Sequence, residues 1–412
     1  MIERILPEEL KLGMYIERGF REKIINGKKK VDYIYNILVD TEEKLQKLKN
    51  SQLRYIYINT EKSIEIKPEK PRVEKKPPPE PIIVKEEEEE EEEPPPPPVS
   101  FTEEIKKAKI IKEESVNLVK NYMEDVSLGK SLDSEKAKLQ VKNIVDSLFR
   151  NADALISLTR LKSFDHYTFT HCVNVSVLLT SFAKKLGYNR KKLERLALGG
   201  LLHDIGKMKI PDKILNKPGR FTDEERQIMK NHTIYGKEIL DRTEGIPEAS
   251  KLIALEHHER YDGGGYPYGK DGSTLGQDSL IAAISDVYDA LTSKRVYKPG
   301  MPPPQALAYI KERSNREFKK TLVDLFIINV GVYPVGSLVE LSTGELGIIA
   351  EVNRDDLLKP FVLIITDKLK RFTKTRELIS LYEFREKRIV GFPEPEKYKI
   401  DPNKILEESV KY

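Results

Sequence analysis

The chain's six histidines, His166, His171, His203, His232, His257 and His258, all lie in one stretch of its 412 residues. Gathered imidazoles beside acidic residues point to metal chemistry. A single histidine on an apolar helix face is more often a hydrogen-bonded core residue than a ligand, and His203, which follows the apolar run Leu196 to Leu202, supports no more by itself. Its neighbours change the balance. Asp204 adds a carboxylate next to it. His171 lies on a face that continues as Val175 and Leu178, His232 on a later helix, and Asp286 among Leu280, Ile284 and Val287. The pair His257-His258 ends an apolar helix that starts after Pro247. Helix bundles build metal sites from ligands aimed inward by separate helices, and a carboxylate can bridge two ions while imidazoles fill the outer positions. Left unpaired, such buried polar groups would cost on the order of a few kcal/mol each.

Other residues could handle an anionic substrate. Lys207, one turn after His203, can place a cation on a phosphoryl oxygen; the plain alternative is a helix-end lysine complementing the dipole. Arg295 and Lys298 follow the Asp286 helix, where a guanidinium fork and a point charge could meet phosphate or other anionic acceptors. The segment Asp262 to Pro267, with three glycines, Tyr266 and a proline, is a loop that either shapes a pocket rim or docks a partner. Cys172, adjacent to His171 but about 100° around a helix from it, reads as a small buried apolar residue.

The elements that must position these residues form a mainly α chain with small flanking modules. Residues 1–66 alternate short apolar runs with turns around a lysine-rich helical stretch from Glu42 to Lys49, giving an α+β module without histidine or cysteine and with regulation or protein contact as its default role. Residues 67–100, with an uninterrupted glutamate run from Glu86 to Glu93 and prolines Pro94 to Pro98, read as a disordered tether extended by self-repulsion. Residues 101–315 are a helical bundle. Val141, Ile144, Val145 and Leu148 share one face, and a Thr222–Glu225 capping box opens a helix through Ile228, Met229 and His232. Residues 316–412 hold a last helix past Thr321 and a small β appendage with strands at Ser337 to Leu341, Gly347 to Val352 and Phe361 to Thr366.

Lys+Arg 71 against Asp+Glu 67 gives a net charge of only +4, too balanced for wholesale duplex nucleic-acid or membrane binding. Cys172, the sole cysteine, excludes an internal disulfide, and neither a signal core nor a run near the ~20 apolar residues of a membrane span is present. A cytoplasmic protein is expected. High Lys and Glu with no tryptophan lean toward a heat-adapted source.

Several runs resemble a known family. His203-Asp204-Ile205-Gly206-Lys207, Ile210-Pro211-Asp212, Lys217-Pro218-Gly219, His257-His258-Glu259-Arg260, Gly265-Tyr266-Pro267, and Asp286 through Ser293 with Arg295, Tyr297 and Lys298 are similar to the HD-GYP phosphodiesterases, a branch of the HD metal-dependent phosphohydrolases. Leu6 to Phe20 is similar to an N-terminal domain of unknown function often fused to them. The resemblance implies an HD-type helical catalytic domain with His171, His203, Asp204, His232, His257, His258 and Asp286 as metal ligands and Asp204 bridging. It assigns Lys207, Arg295 and Lys298 to substrate. Two divalent ions, iron or manganese, are implied. A third ion in some members needs a glutamate where this chain has Tyr167, a poor substitute, and His166 is left to a surface or supporting role.

The expected activity is hydrolysis of cyclic di-GMP to pGpG, and on to GMP in a second step, by water activated between two metals. The nearest alternative is 3',3'-cyclic GMP-AMP. A non-catalytic module that binds a cyclic dinucleotide, or a protein partner through the Tyr266 loop or the N-terminal domain, would be marked by lost ligands, and none is lost. Hydrolysis of another phosphorylated nucleotide leaves the Gly-Tyr-Pro loop unexplained.

Overall fold

A computed structural model of the chain describes residues 2–11, 14–25, 28–39, 42–49, 55–60, 63, 94–159, 167–293, 300–353 and 356–409. The tether expected over 67–100 lies outside these residues as far as Glu93. His166, Arg295, Tyr297 and Lys298 also lie outside, as does the side chain of Tyr167. Contacts divide the chain into two units, Met1–Glu87 and Glu88–Tyr412.

In the first unit, strands β1 (Ile2–Ile5), β2 (Tyr15–Ile25), β3 (Lys28–Leu38) and β4 (Tyr55–Asn59) form an antiparallel sheet in the order β1-β4-β2-β3, accompanied by helix α1 (Glu42–Lys49). The short runs read from the sequence are parts of two longer strands. β2 and β3 pair from Tyr15↔Leu38 to Ile25↔Lys28, and this ladder carries the chain through charged residues that break the hydrophobic pattern. Leu10, Ile16, Val39, Leu45, Ile56 and Ile58 make the core.

The second unit is mostly helical. Its elements begin with α2 (Phe101–Ser127), α3 (Ser134–Leu158), α4 (Tyr167–Lys185) and α5 (Arg190–Leu202). They continue with α6 (Asp212–Leu215), α7 (Asp223–Lys230), α8 (His232–Asp241), α9 (Glu248–Glu256), α10 (Gln277–Thr292), α11 (Pro303–Glu312) and α12 (Lys320–Val330). α2 starts at a Ser100–Glu103 capping box, which satisfies two otherwise orphaned backbone donors. The expected face of Val141, Ile144, Val145 and Leu148 is buried on α3. The helix read as leading into the C-terminal appendage, α12, packs Leu322, Val323 and Phe326 into the bundle core, with the Phe326 ring edge-on to Phe182 and Tyr288.

The C-terminal segment forms an antiparallel sheet in the order β8-β7-β6-β5-β9, from β5 (Leu338–Leu341), β6 (Leu346–Glu351), β7 (Phe361–Thr366), β8 (Phe372–Ser380) and β9 (Ile389–Gly391). Helix α13 (Pro402–Ser409) follows it. Alternate residues of β5 and β6 feed opposite faces, Leu338 and Ile348 on one and Val339 and Ile349 on the other, and both faces are buried. Strands β8 and β9 and helix α13 were not anticipated. β8 is an edge strand, and its exposed Arg376 and Glu377 suit a solvated edge while hiding the alternation that reveals a strand.

Candidate metal centre

Five segments of the bundle supply the histidines and aspartates. His171 sits in the first turns of α4 and Asp286 in the second half of α10. α5 ends at Leu202, and the chain passes through His203 and Asp204 into a 3-10 turn, Ile205–Lys209. That turn lies against the start of α8. A Cβ on Gly206 would stand 2.0 Å from the His232 carbonyl oxygen and 2.3 Å from the Gly236 nitrogen, so only glycine permits the approach that brings Asp204 to His232. The helix opened by Thr222 ends at Lys230, and His232 begins the next, a correction to the single helix expected there. His257 and His258 leave the end of α9.

The seven side chains converge. Asp204 is 1 % exposed and its two oxygens face different groups. Oδ2 lies 3.4 Å from His203 Nε2 and 3.9 Å from His171 Nε2, while Oδ1 lies 3.5 Å from His232 Nε2 and 3.9 Å from His257 Nε2. Asp286 behaves similarly, with Oδ1 2.9 Å from His171 Nε2 and Oδ2 3.6 Å from His258 Nδ1. Two trios result, His171–His203–Asp286 and His232–His257–His258, each with donor atoms within 4.8 Å of one another. Among the described residues, Asp204 Oδ1 and His203 Nε2 are buried without a hydrogen-bond partner, as lone pairs converging on a cation site would be.

Backbone and carboxylate acceptors set the tautomers. His203 Nδ1–H donates to the Gly200 carbonyl at 2.8 Å, His232 Nδ1–H to Met229 at 2.8 Å, and His257 Nδ1–H to Ala254 at 3.0 Å. Each bond leaves Nε2 as an inward lone pair. His171 Nδ1–H instead donates to the Asp289 carboxylate at 2.8 Å, and Asn174 Nδ2 donates both to the other Asp289 oxygen and to the Thr159 carbonyl. Asp289 and Asn174 were missed as functional residues. Their signal was present, since each lies three positions beyond a candidate ligand, Asp286 or His171, on the same helix face.

Charges follow from burial and neighbours. Burial lowers His232 to about 4 and His258 to about 3, and pulls His257 well down, so these imidazoles are neutral at physiological pH, the form a metal ion requires. At His171 burial also opposes the charge, but Asp286 and Asp289 outweigh it and hold the pKa up to about 9. Burial would raise Asp204, yet Lys207 and His203 keep it well below the carboxylate range. Lys207 Nζ lies 2.5 Å from Asp204 Oδ2, so it is a member of the cluster rather than a solvated helix-end lysine. Cys172 is fully buried, with its sulfur within 4.8 Å of donor atoms of His203 and Asp204. Burial pushes its thiol up, which disfavours the thiolate that metals bind.

The Gly-Tyr-Pro loop lies at the same place. The Tyr266 ring is 4.7 Å from that of His258 and 6.3 Å from that of His232, and burial raises its phenol. Lys230 Nζ stands 5.3 Å from the centre of the Tyr266 ring. Among the described residues no helix is long and apolar enough to cross a membrane.

A helical bundle that gathers a His–His–Asp trio and a three-histidine trio about Asp204 is the arrangement expected of an HD-type metal-dependent hydrolase. Residues 144–322 match the HD domain family, and residues 2–137 match a domain of unknown function (DUF3391). A cyclic di-GMP phosphodiesterase of Pseudomonas aeruginosa is 32% identical over 393 residues, covering 95% of this chain and 92% of that protein. A 3'3'-cGAMP-specific phosphodiesterase of Vibrio cholerae is 36% identical over 161 residues, covering 39% of this chain and 31% of that protein. The solved structure of an HDG"Y"P protein from Bdellovibrio bacteriovorus is 19% identical, covers 79% of this chain and 98% of its own, and superposes with a TM-score of 0.46. The chain belongs to the HD-GYP phosphodiesterases and carries their DUF3391 domain at its N-terminus. It is a metal-dependent enzyme that hydrolyses phosphodiester bonds.

Proposed function

We propose that the chain opens cyclic di-GMP to the linear dinucleotide pGpG, at a centre of two divalent ions held by His171, His203, Asp204, His232, His257, His258 and Asp286. The observation that carries this reading is the division of the Asp204 carboxylate, one oxygen toward His171 and His203 and the other toward His232 and His257. A mixed imidazole and carboxylate donor set suits iron or manganese. Such a pair supplies Lewis acidity and an activated water at neutral pH. Tyr167 stands in the sequence where the family resemblance would require a glutamate for a third ion, so two ions are the number proposed.

The chain's own groups do the rest. Asp289, Gly200, Met229 and Ala254 hold the imidazoles with their lone pairs inward. The Lys207 ammonium, beside Asp204, offers a cation to a non-bridging phosphoryl oxygen. Tyr266 walls the site over His258, and Arg295 and Lys298, assigned from sequence, take the phosphate and guanine acceptors.

The test is product identification by chromatography after anaerobic loading with iron or manganese. Cyclic di-GMP should yield pGpG, and Asp204→Ala should reduce turnover to background with loss of bound metal. A metal-replete chain that cleaves no cyclic dinucleotide would sink the reading. The Vibrio cholerae relative makes 3',3'-cyclic GMP-AMP the second reading, decided by competing the two substrates in one reaction.

A further inference from the structure

We propose that Glu259 is a positioning residue of this site, tying the Gly-Tyr-Pro loop back onto the turn that carries His257 and His258; the proposal rests on reading the site as a cyclic-dinucleotide hydrolase. Glu259 is 2 % exposed, and its carboxylate accepts the backbone N–H of Tyr268 at 2.8 Å through Oε1 and that of Lys270 at 3.1 Å through Oε2. The Lys270 ammonium goes elsewhere, to Glu256 at 2.6 Å, and Ser279 donates to the same buried Glu256. A carboxylate removed from water is costly, and charge-assisted bonds from amide donors offset that cost only where the backbone is held to meet them.

The returning limb of the loop is therefore captured by two carboxylates on the segment that presents the paired histidines. Its outgoing limb is fixed by other means. Tyr266 N–H donates to the His258 carbonyl at 3.1 Å, and Asp262 forms a bridge with Asp271. Gly265 fits because it lacks a side chain: a Cβ there would stand 2.4 Å from the Arg260 nitrogen and 2.5 Å from the Glu259 Cα. Between the two limbs Tyr266 is set against His258. Glu259 thus acts on the substrate wall through Tyr266 while belonging to neither donor trio, and loosening it misplaces a binding surface while the residues that would hold metal stay in place.

The experiment compares the full, metal-loaded chain with Glu259→Gln, in which the amide keeps the size and one acceptor but turns an NH2 toward the second backbone donor. The KM for cyclic di-GMP should rise about tenfold or more with a smaller change in kcat and no change in bound metal. Amide exchange over residues 262–272 should accelerate while α9 stays protected. Tyr266→Ala should raise KM comparably, and the double variant should be no worse than either. An unaltered KM in folded, metal-loaded Glu259→Gln overturns the proposal, as do losses that multiply in the double variant or that track loss of metal. If Glu259→Gln does not fold, Glu256→Gln loosens the same limb and is held to the same outcomes. Should the unsubstituted chain cleave no cyclic dinucleotide, the substrate reading fails separately, and unchanged loop exchange in the variant would still overturn the anchoring.

Discussion

Asp289 orients a histidine of the proposed metal centre, because its carboxylate takes the Nδ1 proton of His171 and leaves Nε2 toward Asp286 and Asp204. Loss of such a partner typically costs 10- to 100-fold in metal affinity or activity, so Asp289→Ala is expected to weaken metal binding by about that factor in a competitive chelator titration. Unchanged affinity would mean that packing alone orients the ring. The same carboxylates hold His171 up to about 9, so an ion must displace its proton on binding. Metal uptake measured calorimetrically at about pH 7.5 in buffers of different ionisation heat should show net proton release that fades as the pH rises past that value. At this scale the ligand types were legible because imidazole and carboxylate beside an apolar helical face are a local signal. The role of Asp289 needed its contact with His171, 118 residues away in sequence.

The 3-10 turn after α5 decides whether the two halves of the site meet. Gly206 lies against the first turn of α8, and Gly206→Ala would force a methyl onto the His232 carbonyl. Overpacking of this kind costs about 1–3 kcal/mol or more, and the displaced His232 should also lower metal content. Denaturant unfolding and metal analysis on one preparation check both, and full stability with full occupancy would refute the close approach. Helix faces such as Val141 to Leu148 were readable from their period, whereas the break between α7 and α8 was not. Asn231, at that break, keeps right-handed helical angles, so no left-handed cap and no glycine marks the end.

In the histidine-bearing unit, α2 joins the bundle to the C-terminal sheet: Phe101 packs against both hydrophobic clusters, and a few residues on, the fully buried Glu104 accepts from Arg150 and Ser147 of α3. Removing one partner of a buried ion pair costs roughly 3–5 kcal/mol, and Glu104→Ala should fall near the lower end because Arg150 retains some solvent. Equilibrium unfolding would measure it, and a change below about 1 kcal/mol would show the pair to be dispensable. Chelation is a second test at this scale. Ligand binding to the folded form alone stabilises it by mass action, so stripping metal should lower the unfolding midpoint of the unit Glu88–Tyr412 and leave that of Met1–Glu87, which lacks histidine and cysteine, in place.

From the amino-acid order alone came the donors themselves, the helical period that carries them, and the sharp change of composition after Lys67, since each is set by residue type within a few turns of chain. Tertiary structure decided which Asp204 oxygen faces which trio, that Lys207 joins the cluster, and that Glu259 holds the loop of Tyr266. Those are distances between side chains brought together by packing, and periodicity says which face is buried without saying what it will touch.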